Sequence, residues 1–100
     1  DLRTRLDRMM FLFGSDPVLW VDATTRLDEG PYADTNMQTW NEVLDEAAMR
    51  FPMLHLLHWS DVAIDEWFVS DGIHYTSGGW AWRSHVIADA LVAAFPAVGP

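Results

Sequence analysis

The chain has no cysteine and no lysine. Without cysteine it forms no disulfide, offers no thiolate nucleophile and builds no cysteine-ligated metal site. That absence fits either side of a membrane. Without lysine, all six cationic residues are arginine, a bias of composition more than of chemistry. Cations are scarce altogether: set against fifteen Asp and Glu, they leave a formal net charge of −9. Nucleic acids and anionic membrane surfaces are drawn to a basic field, so this balance argues against both as partners. Arg3, Arg5 and Arg8 sit together at the start, which leaves the remainder still more acidic. Long hydrophobic runs are missing too. No segment approaches the ~20 apolar residues of a spanning helix. Met9 to Phe13 is too short for the core of a signal peptide. The chain opens on Asp1 in place of methionine, which points to a mature, processed or truncated product.

What is present is apolar and aromatic. Half of the 100 residues are hydrophobic, which argues against disorder. The length suits one small domain or part of one. A chain of this size buries roughly 65% of its unfolded surface, enough for one modest core. Six Trp and five Phe predict a Trp-rich core, with some of that surface needing a partner to cover it.

Hydrophobic spacing gives the elements. Leu2, Leu6, Met9, Met10 and Phe13 recur at helical intervals, and Gly14 with Pro17 ends that helix. Val18–Val21 is a short continuous apolar run, predicting a buried and parallel strand. Residues 22–34 form a polar loop. Asp34 or Thr35 caps a helix to about Arg50, carrying Met37, Trp40, Val43, Leu44, Ala47 and Ala48 on one face. Met53–Leu57 is a second strand. Ser60 or Asp61 caps a short helix through Glu66. Thr76 or Ser77 caps a last helix to about Phe95, with Trp80, Ser84, Ile87, Ala88, Leu91 and Phe95 on one stripe. Helices alternating with buried strands imply an α/β sheet covered on its faces. Two strands are few for such a sheet, so strands are expected to be missing on the N-terminal side.

The chemistry concentrates in Asp71-Gly72-Ile73-His74. A serine hydrolase needs a base and a carboxylate that orients it. In a tight turn, Asp71 at i reaches Nδ1–H of His74 at i+3 and leaves Nε2 free for a serine. Gly72 supplies the backbone freedom such a turn uses. The plainer role for Asp71 is to accept backbone N–H groups within the turn. No serine here has a nucleophile's setting. Ser15 precedes a strand, whereas a nucleophile follows one; Ser70 and Ser77 read as loop and cap residues, and Ser84 as a small packing residue. His55 and His58 point to opposite sides of a strand, so no metal site is expected. His85 reads as a surface or packing histidine.

The block resembles the C-terminal signature of the SGNH (GDSL-type) hydrolases, whose last block is Asp-x-x-His. Asp71, Gly72, Ile73, His74, Tyr75, Thr76 and Gly79 match its wider pattern. The order of helix, Phe51-Pro52, apolar strand and Trp/Asp stretch before it is similar as well. The resemblance spans about Val18 to Phe95. It implies the C-terminal half of a three-layer, flavodoxin-like α/β fold, with residues 1–100 as a single partial domain whose N-terminal half is missing. It also implies a Ser-His-Asp esterase or lipase-like activity on ester-linked acyl groups, with catalytic His74 and Asp71. The family's Gly-Asp-Ser, Gly and Gly-x-Asn blocks are absent, so no nucleophile or oxyanion hole carries over. The serine is then expected from a missing N-terminal segment or a companion chain.

Trp67 and Tyr75 fall where such an enzyme lines its site, though core and loop packing is the plainer role for the tryptophans. The substrate would be a small-molecule or carbohydrate acyl ester, and no cofactor is implied. O-acetyl transfer to a cell-envelope sugar uses the same triad and is the alternative enzyme. A non-catalytic binding or assembly module is the alternative of another class. Export, frequent in this family, tilts the expected location to an extracytoplasmic or secreted one.

Overall fold

A computed structural model describes residues 1–96. Helix α1 (Leu2–Phe13) starts on Asp1, whose carboxylate accepts the Thr4 N–H at 2.7 Å. It stops at Gly14, which takes φ 60°. Strand β1 (Val18–Val21) leads through a polar loop into helix α2 (Asp34–Arg50) and back to strand β2 (Leu54–Leu57). Helix α3 (Trp59–Val62) and one 3₁₀ turn (Asp65–Trp67) precede the final helix α4 (Ser77–Ala94). Among the described residues no helix is long and apolar enough to cross a membrane.

The two strands are parallel, pairing Val18 with Leu54 through Val21 with Leu57. Side chains alternate between faces. Val18, Trp20, Leu54 and Leu56 pack with Leu6 and Met10 of α1 and Leu44 and Ala47 of α2. On the opposite face, His55 meets Phe95, just past α4, edge-on at 5.2 Å. Helices therefore cover both faces of a small parallel sheet, and the expected mixed α/β character is what the chain adopts.

Some boundaries differ from the sequence-based expectation. The second strand starts at Leu54 instead of Met53. Asp34 does not cap α2: its carboxylate turns back to Thr24 and the Thr25 N–H, and Ala33 takes the cap position. The single helix expected from Ser60 to Glu66 is two pieces. It begins at Trp59, breaks at extended Ala63, and resumes as the 3₁₀ turn. Ser60 is no cap, because its N–H and its hydroxyl both donate to Asp22, 38 residues away.

Among the described residues, one flank of the sheet is uncovered. In a parallel ladder alternate residues address alternate neighbours. Val18 and Asp22 donate to β2, through Met53 O and Leu57 O. Leu19 and Val21 therefore direct their N–H and C=O away from it. Met9 and Phe13 join β1 in lining an open apolar groove there. Beyond it Phe11 and Leu12 of α1 are 84% and 83% exposed.

Candidate active site

The loops that follow the two strands meet at the sheet's C-terminal rim, where α/β sheets characteristically place their ligand sites. After β1, buried Asp22 receives the Ser60 N–H at 2.8 Å and the Ser60 hydroxyl at 2.7 Å, which ties it to the loop after β2. The Arg26 N–H donates to Gly72 O at 2.7 Å, and this brings the Asp71–His74 turn onto the same rim.

The turn is built from both sides. Phe68 and Tyr75 form an antiparallel bridge. Inside it, the Val69 N–H donates to His74 O and the Gly72 N–H to Val69 O. Gly72 takes φ +73°, a left-handed conformation, and an added Cβ would stand 3.1 Å from Arg26 O. Glycine is required there on both counts. Past the turn, Thr76 caps α4 by accepting the Gly79 N–H at 3.0 Å. A Cβ at Gly79 would come within 2.5 Å of Trp67 O, so only glycine lets α4 start this close.

Within this frame Asp71 does two jobs. Its Oδ1 accepts the N–H groups of Ile73 at 2.8 Å and His74 at 2.9 Å. Its Oδ2 lies 2.5 Å from His74 Nδ1. The backbone acceptor and the imidazole partner, two roles that compete on paper, are filled by different oxygens of one carboxylate. These contacts hold the Asp71 carboxyl down at about 2, the Ile73 N–H contributing most, then the His74 ring, then the His74 N–H. In the neutral imidazole, a carboxylate on Nδ1 places the proton there and leaves Nε2 as the acceptor. The His74 side chain is 73% exposed, and among the described residues Nε2 has no hydrogen-bond partner.

No described serine meets His74. Ser15 lies before β1, at the opposite end of the strand from the rim. Ser70 and Ser77 are exposed and make no side-chain hydrogen bond. Ser84 is exposed on α4 instead of packed. Tyr75 is half-buried; its hydroxyl accepts the Trp59 Nε1–H at 2.9 Å and its ring rests on Phe68 and Trp80. Trp67 continues a run of near-parallel indoles, 5.6 Å from Trp59 and 6.1 Å from Trp82. Both residues therefore brace the turn. The exposed aromatics beside it are Trp80 and Trp82. His55 and His58 diverge, the one to Phe95 and the other to Asp45, and no group of three metal-ligating side chains occurs among the described residues.

A second histidine–aspartate pair escaped the sequence. His58 Nε2 and Asp45 Oδ1 are 2.7 Å apart, joining α2 to the loop after β2. The His58 pKa is raised, first by that hydrogen bond, with Asp45, Asp22 and Asp61 adding charge. The two residues are thirteen apart, and only the return of the chain through β2 brings them together. No family model matches this chain, and no curated protein or solved structure does.

Proposed function

We propose that this chain supplies the base and orienting carboxylate of a serine hydrolase of the SGNH type, acting on ester-linked acyl groups. One observation carries the reading: Asp71 binds Nδ1 of His74 while Nε2 faces outward at the sheet's C-terminal rim. The flavodoxin-like half-fold belongs to the same proposal, supported by the parallel strands with helices on both faces.

The serine comes from polypeptide outside these residues. As its Oγ adds to the ester carbonyl carbon, His74 Nε2 takes the hydroxyl proton, and the resulting imidazolium is stabilised by Asp71. When the tetrahedral intermediate collapses, the C–O bond to the alcohol breaks and Nε2 returns the proton to that oxygen. Water then repeats the sequence on the acyl-serine, releasing the acid. A sugar hydroxyl in place of water would make the same step an acyl transfer. The exposed indoles of Trp80 and Trp82 favour an ester carried on a carbohydrate, since flat aromatic faces stack against sugar rings.

The test is active-site labelling. A fluorophosphonate probe should leave the 100-residue chain unlabelled. Expressed together with the coding sequence that precedes Asp1, the protein should label at one upstream serine, and His74→Asn should abolish that labelling. Stoichiometric labelling of Ser15, Ser70 or Ser77 would overturn the proposal, as would an extended protein that stays unlabelled.

A further inference from the structure

We infer that Arg26 is a positioning residue for the Asp71–His74 pair: it holds the turn that aims the imidazole. The inference rests on the hydrolase proposal for its meaning, while its mechanics lie wholly within this chain. Asp71 and His74 are both exposed, so surrounding side chains do not orient them. Their orientation comes from the backbone of the turn, and that backbone leans on Arg26 at two points. The Arg26 N–H donates to Gly72 O at 2.7 Å, and the Arg26 carbonyl presses on the side of Gly72 where a Cβ would project.

Arg26 is itself held by its side chain. Nε donates to Asp65 Oδ1 at 2.6 Å. One terminal nitrogen donates to Thr24 Oγ1 at 3.0 Å and to Thr25 O at 3.3 Å. The other donates to Ala63 O at 3.0 Å. The guanidinium also lies 4.4 Å above the ring centre of Phe68, the residue that bridges to Tyr75 beside His74. One planar cation thus ties together the loop after β1, the segment after α3 and the bridging residue Phe68 that leads into the turn. An ammonium group is a point charge on a flexible stem and does not reproduce a fork aimed in several fixed directions. Asp65 is 87% exposed, so that ion pair is the weakest part of the clamp.

Three variants test this by NMR: Arg26→Lys, Arg26→Ala and Asp65→Ala. The readouts are solvent exchange of the His74 Nδ1 proton and the titration of the Asp71 carboxyl. In Arg26→Lys and Arg26→Ala the Nδ1 proton should exchange about tenfold faster, since the turn opens more often. Asp71 should titrate above its value of about 2, because the Ile73 and His74 N–H groups no longer converge on it. Asp65→Ala should leave both readouts in place. If Arg26→Ala fails to fold, Arg26→Lys decides. A folded Arg26→Lys with unchanged exchange and Asp71 titration overturns the inference and leaves the hydrolase proposal standing. Failure of serine labelling would sink that proposal without altering these spectra.

Discussion

The C-terminal rim of the sheet and the outer flank of β1 are the same chain under opposite rules. At the rim, polar groups converge on one another, and His74 Nε2 is left facing outward. Asp22 holds Ser60, Asp34 holds Thr24 and Thr25, Arg26 holds four partners, and Asp71 uses both oxygens. At the flank, Leu19 and Val21 direct backbone groups outward beside a groove of Met9 and Phe13, with Phe11 and Leu12 almost fully in solvent. Hydrogen bonds are directional and specify one arrangement; apolar burial is non-directional and accepts any complementary surface. The backbone frame of the rim is thus fixed by bonds within the chain, while the flank is a surface whose stability depends on what covers it.

The sharpest break in that contrast comes from Gly79→Ala. Its Cβ would meet the Trp67 backbone, which cannot step aside without moving the turn. A loss of about 3 kcal/mol in urea unfolding is expected, at the upper end for overpacking. A loss under about 1 kcal/mol would mean that the rim is softer than its contacts imply. The flank is probed by Leu19→Pro. Its N–H faces away from β2, so proline removes no bond of the β1–β2 ladder and should cost no more than about 1 kcal/mol. It should nevertheless abolish the edge-to-edge association expected of the unaltered chain at micromolar concentration. A wild-type chain that sediments as a monomer there would remove the contrast altogether.

The smallest effect belongs to the second histidine. The folded His58 pKa lies above its ordinary 6.5, so its pairing stabilises the fold fully below about 6.5. That contribution is lost as pH rises through the raised value. His58→Asn should therefore cost a few tenths of a kcal/mol at pH 5.5 and nothing at pH 9, the pair being half-exposed and screened. Equal costs at the two pH values would show that the contact is packing and not charge.

What the sequence made legible follows from distance along the chain. The Thr76 cap, the Gly14 stop and the Asp71–His74 contact are all made within a few residues, and each is where local rules place it. The misjudged positions are those with a distant partner. Ser60 looks like a helix cap until Asp22 claims it, and Asp34 looks like another until the Thr24–Thr25 loop does. Asp45 meets His58 only through the return into β2. Arg26 gave no local sign of importance, since its partners at Ala63 and Asp65 lie nearly forty residues on. The packing of Trp67 on Trp59 and of Tyr75 on Phe68 and Trp80 likewise depends on contacts that spacing alone does not show.

The run of Trp59, Trp67 and Trp82 has an optical consequence. Indoles held in one fixed arrangement give a tertiary-packing signal in near-ultraviolet circular dichroism, which is lost when that packing loosens. Trp67 O accepts the Thr76 N–H at the foot of the turn, and Trp59 is hydrogen-bonded to Tyr75. That signal therefore reports the integrity of the His74 turn without a label. Opening of the turn ahead of global unfolding would appear as loss of that near-ultraviolet signal while the helical signal persists.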